Sequence, residues 1–300
     1  MTQTTTRETL SVSGKHGPPL RVGIRALILS PTLLWILALV VAPNLYLLVF
    51  SFWSNEIGTV VQEFTFENYV RAFTSEVFLT LLVRTFLIAT FAAVMATLIA
   101  YPGAYLVVRK LGRWKLAAAL LVLVPLWVSY LMRVFAWRII LGERGILNGL
   151  LTSLGILGEA SDSFLYSVET VALTLTYIVV PYVFLASYSS LERIPESLYE
   201  ASADCGGNSF RTFVHIIWPL SRPGVAIGFA IGFVIAFGDY VTAQMVGGLE
   251  GTMLGTIILQ QFGTANNWPY GAAIGVSIML ASFLFLAMVS LFSRTEAQYE

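Results

Sequence analysis

Five stretches of this 300-residue chain, 26–55, 85–108, 116–132, 170–191 and 268–293, hold no Lys, Arg, Asp or Glu, and a sixth, 223–249, holds only Asp239. A membrane-spanning helix takes about 20 mostly apolar residues at about 1.5 Å each. Each stretch fits one such helix, some with ends extending past the charge-free window. The pattern predicts an all-α integral membrane protein with six spans, at about 26–53, 78–108, 115–140, 168–191, 223–246 and 268–293. Charged residues make up 11% of the chain, against roughly 25% in a soluble domain, which agrees.

Charge between the spans orients them, because short loops rich in Lys and Arg stay in the cytoplasm. Arg7, Lys15, Arg21 and Arg25 precede the first span, Arg109, Lys110, Arg113 and Lys115 join the second to the third, and Arg193, Arg211 and Arg222 join the fourth to the fifth. The alternate loops, 54–76 and 142–167, carry one basic residue each, Arg71 and Arg144, among several acids. Both termini are therefore expected in the cytoplasm. The domains read as a tail over 1–24, a membrane domain over 25–294 with a polar loop at 192–222, and a tail over 295–300. The apolar run from Ala26 exceeds a signal-peptide core and lacks a nearby small-residue cleavage site, so it reads as a retained first helix.

Several chemistries have no support. Net charge is zero, so electrostatics imply no nucleic-acid partner. With one cysteine, Cys205, and isolated histidines at 16 and 215, no zinc-ligand set forms by spacing, and neither a metal nor a cofactor is expected. No Gly-x-x-x-x-Gly-Lys-Ser/Thr phosphate loop occurs, and no nucleophile–base arrangement stands out, so the chain reads as neither an ATPase nor a membrane enzyme.

The most informative segment is the polar loop at 200–219. Pro195 or Ser197 suits a helix start, Gly206-Gly207 suits its end with a backbone that tolerates positive φ, and Pro219 with Pro223 marks entry into the fifth span. Its Glu200-Ala201, Gly206, Ile216 and Pro219 spacing resembles the EAA loop of ABC importer permeases. Ser202, where the family usually has Ala, and Trp218, where it usually has Leu, depart from that pattern. The segments Pro125–Trp137, Ser190–Glu200, Phe237–Thr242 and Trp268–Ala273 look like the first permease subunit of the spermidine/putrescine type. This resemblance covers roughly residues 25–292 and implies a type I importer fold. It also implies docking of a separate ATPase on the 200–219 loop, a second permease subunit, a periplasmic solute-binding protein and residence in a bacterial inner membrane.

Ionisable residues within spans are functional candidates by default. Asp239, about 24 Å along the axis from Pro223, is expected in the outer half of the bilayer. With Tyr240 beside it, it suits an ammonium-bearing solute through charge and cation–π attraction; an ion pair or a water-exposed helix end is the plainer alternative. Arg133 and Arg138, with Trp127, Tyr130 and Trp137 nearby, read as an interfacial belt or as a gate and partner for Asp239. Asp239, Tyr240, Arg133 and Trp137 form the candidate solute pathway. Polyamine is the first expectation for cargo. Opines, aminophosphonates and ferric complexes remain alternatives within the class, as does an ATP-independent secondary transporter outside it, though that needs an internal repeat and several intramembrane acids. Gly224, Gly228 and Gly232 share one face of the fifth span, for close packing or for lining a pore.

Overall fold

The computed structural model describes residues 30–56, 58–155 and 164–295, with side chains described up to Leu291. The first helix, α1 (Ser30–Phe50), carries a π-helical turn at Leu37–Val41. Its residues up to Leu47 belong to a compact unit separate from the rest of the chain, and within that unit Asn44 donates to the Val40 carbonyl at 2.7 Å.

From Leu48 the chain forms a second unit. A short hairpin, β1 (Ser54–Glu56) with β2 (Thr59–Val61), pairs Asn55 with Val60 and leads to the small helix α2 (Glu67–Thr74). Asn68 on α2 donates to the carbonyls of Ser51 and Trp53, while Phe52 stacks on Phe64, so this segment is folded. Three long helices make the core: α3 (Glu76–Lys110), α7 (Val168–Glu192) and α9 (Ser209–Phe237). On α3, Ala92, Ala96, Ala100 and Ala104 are buried at four-residue spacing, a small-residue face of the kind that lets membrane helices approach closely. Gly224, Gly228 and Gly232 of α9 lie against Ser190, Ala186 with Val183, and Val179 of α7. Their shared face is a packing face. The last helix, α11 (Trp268–Thr295), joins the core through Phe285, which stacks on Phe233 at 3.8 Å between centroids.

Five described helices are long and apolar enough to span a bilayer, and a bent pair supplies a sixth span if counted as one. That pair corrects the continuous third helix expected over 115–140. Residues 112–127 contain α4 (Lys115–Leu123) and the 3₁₀ turn Val124–Trp127. The chain then turns through 91° into 130–153, containing α5 (Tyr130–Leu141) and α6 (Ile146–Ser153). Pro125 removes a helical donor, and Val128 and Ser129 adopt extended ψ values of 136° and 138°, which no α-helix accommodates.

The fifth span is corrected too. Instead of beginning near 223, α9 starts at Ser209 and continues through Pro219 and Pro223, so the returning arm of the polar loop and the span are one helix. It ends at Phe237 rather than near 246, and Asp239 falls outside it. A further π turn, Ala243–Gly247, and the helix α10 (Leu254–Phe262), for which the sequence carries no separate signal, follow before α11.

Candidate functional site: a polar loop and a polar helix break

The loop at 192–222 is built around α8 (Glu196–Asp204), capped by Pro195 and ended by Gly206 at φ +75°. A side chain at 206 would meet open space, so the left-handed backbone alone demands glycine there. The chain reverses at Gly207, whose N–H donates to the Ser202 carbonyl at 2.8 Å. Asn208 then caps α9, its Oδ1 accepting the Arg211 N–H at 2.9 Å. Ser202 Oγ and Thr212 Oγ1, 2.8 Å apart, pin the two helices together. Ser202 is thus a structural tie.

Of the motif residues, Glu200, Ala201 and Gly206 are exposed, while Ile216 and Pro219 are half-buried along α9. Ile216 lies in a π turn, Phe213–Ile217, a feature frequent at functional sites. Phe210, 74% exposed, stands beside the motif as an apolar side chain that the spacing argument did not single out. Cys205 is free and exposed. Tyr199 of α8 packs against the core, and the guanidinium of Arg109, in the last turn of α3, lies 3.2 Å from the centroid of its ring. Burial raises the Tyr199 phenol above its ordinary value, and the Arg109 charge opposes that shift.

At the other candidate site, the break after α9 is organised by Asp239, which is 7% exposed. Its Oδ1 accepts the Thr242 N–H at 2.8 Å, an N-cap bond for the next helical turn. Its Oδ2 accepts from the Tyr130 hydroxyl, which also meets Thr242 Oγ1 at 2.9 Å. Tyr130, from the start of α5 109 residues away, thereby joins the two breaks. Gly255 at the start of α10 allows close approach from below: a Cβ there would stand 2.9 Å from the Asp239 carbonyl.

Arg133, one helical turn beyond Tyr130, is 5% exposed and so buried within the fold. Its Nε and Nη1 are buried without a hydrogen-bond partner, its guanidinium lies 5.5 Å from the Tyr130 centroid, and it makes no ion pair with Asp239 among the described residues. Trp137 packs edge-on to Tyr177 at 5.5 Å, and Tyr240 is 41% exposed. Arg138 is exposed, and Arg84 donates to the Glu250 carbonyl at 2.6 Å. The structure therefore brings Tyr130, Arg133, Asp239 and Thr242 together. It leaves Trp137 against α7.

A family model described as the inner membrane component of binding-protein-dependent transport systems matches residues 20–297. The spermidine/putrescine transport system permease protein PotB of Haemophilus influenzae is 30% identical over 256 residues, 84% of this chain and 88% of that protein. Its Escherichia coli counterpart is 28% identical over 253 residues, 84% and 91% of the two chains. The E. coli inner membrane ABC transporter permease protein YdcU is 30% identical over 288 residues, 91% of this chain and 90% of YdcU. Among solved structures, a bacterial ABC transporter that imports the acidic polysaccharide alginate superposes with a TM-score of 0.69 at 17% identity, covering 91% of this chain and 96% of that one.

Proposed function

Because this chain belongs to the family of binding-protein-dependent transport system inner membrane components and is a permease subunit of an ABC importer, we propose that it forms half of a translocation pathway for polyamines such as spermidine and putrescine. The observation that carries the cargo is the similarity to spermidine/putrescine permeases over 84% of the chain. The buried carboxylate at the helix break suits that cargo. Asp239 supplies negative charge where bulk water is excluded, and the half-open ring of Tyr240 offers a face to an ammonium group. Arg133, buried one turn beyond Tyr130, borders this site on the α5 side, and Trp137 backs it from its contact with Tyr177 of α7. A protonated amine at Asp239 shares the carboxylate with the Tyr130 hydroxyl, so cargo binding acts on the contact that joins the two breaks.

Transport is driven from the cytoplasmic end. Glu200, Ala201 and Gly206 on and after α8, with Ile216 and Pro219 behind them on α9, form the docking element for a separate ATPase subunit. α8 has no buried residues, as an element that inserts into a partner's cleft requires. A second permease subunit completes the pathway, a periplasmic solute-binding protein delivers cargo on the opposite side, and both termini lie in the cytoplasm.

The test is uptake of labelled spermidine into cells or proteoliposomes holding the complete transporter. Saturable, ATP-dependent uptake competed by putrescine is expected. ATP-dependent uptake of another solute that persists under saturating spermidine removes the polyamine assignment. Glu200→Gly and Gly206→Arg should each abolish co-purification of the ATPase while leaving membrane insertion intact; retained association removes the docking assignment.

A further inference from the structure

We propose that Arg109 and Tyr199 form a cation–π clasp through which displacement of the docking helix α8 is transmitted to the core helix α3. This rests on the docking assignment for the 200–219 loop. On the α9 side, α8 is held by the turn itself, through the Gly207–Ser202 bond and the Ser202–Thr212 contact. On the α3 side, the hydrogen bonds, ion pairs and ring contacts among the described residues run through one side chain, Arg109.

Two contacts leave Arg109 for α8, and they are unequal. The ion pair to Glu196 is long, 3.9 Å, and Glu196 is largely exposed; such pairs contribute little in water. The ring contact is close, 3.2 Å to the centroid, on a half-buried Tyr199, where desolvation strengthens cation–π attraction. The ring contact therefore holds the helices together. Tyr199 precedes Glu200, so it moves with the docking face. Arg109 ends the helix whose Ala92–Ala104 face packs in the core and whose Tyr101 hydroxyl meets Ser221 Oγ of α9 at 2.8 Å. Pushing α8 thus loads α3 and α9 together. The plainer reading, a basic residue completing a helix C-terminus, accounts for charge at 109 but not for a guanidinium centred on a ring of another element.

Neighbouring Lys115 supplies the control. It pairs with Glu192 at 3.0 Å, tying α4 to α7, and reaches α8 only through a weak through-space attraction to exposed Glu196. Arg109 is a positioning residue, so the decisive readout is solute moved per ATP hydrolysed, measured in the full reconstituted transporter with spermidine as probe. If spermidine proves not to be cargo, binding-protein stimulation of ATP hydrolysis replaces uptake as the readout. Coupling energies between sites correspond to about 5- to 150-fold effects. Arg109→Gln and Tyr199→Leu should each lower the coupling ratio about fivefold or more, with ATPase co-purification retained. Arg109→Lys, Tyr199→Phe and Lys115→Gln should stay within about twofold of the parent, because cation and ring persist or the clasp is untouched. Equal losses in Tyr199→Phe and Tyr199→Leu, loss in Lys115→Gln, or unchanged coupling in Arg109→Gln would each overturn the clasp. Loss of ATPase co-purification in the Arg109 variants would assign the residue to docking and overturn it too. Failure of the parent loop to bind the ATPase is a distinct result that removes the docking assignment instead.

Discussion

At the scale of single residues, the two sites rest on opposite demands. Gly206 must be small for conformational reasons alone: φ is +75° and no neighbour crowds the position. A left-handed backbone costs roughly 1–2 kcal/mol for an ordinary residue and less for Asn. Gly206→Asn should therefore keep ATPase association near the parent level, and Gly206→Val should weaken it about tenfold, as read by co-purification. Equal behaviour of the two variants would show that bulk, not φ, matters. Tyr130 is held by chemistry. Removing its hydroxyl leaves a buried carboxylate short of a donor, which costs about 1.5–3 kcal/mol for a charged acceptor. Tyr130→Phe should lower the thermal midpoint of the purified protein by several degrees, whereas Phe at exposed Tyr240 should leave it unchanged. Asp239 stood out in the sequence as the one charge of an apolar run, but its partner did not, because the 109 residues between Tyr130 and Asp239 leave no local pattern. Burial of Arg133 was invisible for the same reason: an arginine beside aromatics reads as an interfacial belt until the fold closes around it.

At the scale of elements, apolar length was legible and continuity was not. Charge-free windows located the spans because exclusion of charge is a one-dimensional property. Whether a window is one rod depends on a few dihedrals. Pro125 breaks its segment, while Pro102, Pro181 and Pro223 lie inside helices that continue, so proline alone cannot discriminate. A local signal for the true start of α9 was available: Asn208 three residues before Arg211 is an ordinary N-cap. The glycine face was legible as a face, and its partner required the fold. Gly228 has Ala186 Cβ and the Val183 carbonyl about 3.1 and 3.2 Å from where a Cβ would stand. Forcing extra atoms into such packing costs about 1–3 kcal/mol, and more where backbone is the obstacle. Gly228→Val should reduce the yield of folded protein in detergent, as read by size exclusion, while Gly103→Ala, where a Cβ meets nothing, should not. Equal yields would mean that α7 and α9 are not in register at this face.

At the scale of the whole molecule, the distribution of acids decides how transport is powered. An ion-coupled transporter carries several acids within its spans to bind and release protons or sodium. Among the described residues, Asp239 is the acid placed at a helix break in the apolar interior, and both its oxygens are engaged by Thr242 and Tyr130. Glu169 and Glu192 stand at the two ends of α7, both exposed. Among the described residues Asp239 is the buried acid, so any ion coupling would have to pass through it. The features able to receive work lie instead in the polar loop, where an exposed α8 is joined through the four residues 205–208 to α9, a helix long enough to cross the bilayer. Uptake by the reconstituted transporter should accordingly cease when the ATPase subunit is inactivated at its nucleotide site. Collapsing the proton gradient with an uncoupler should leave initial rates within about twofold, since no coupling step passes through a buried acid. Initial rates that fall with the uncoupler while ATP is held constant, or uptake that an imposed proton gradient restores without ATP hydrolysis, would mean that Asp239 exchanges protons during the cycle and that Tyr130 gates a proton rather than an amine.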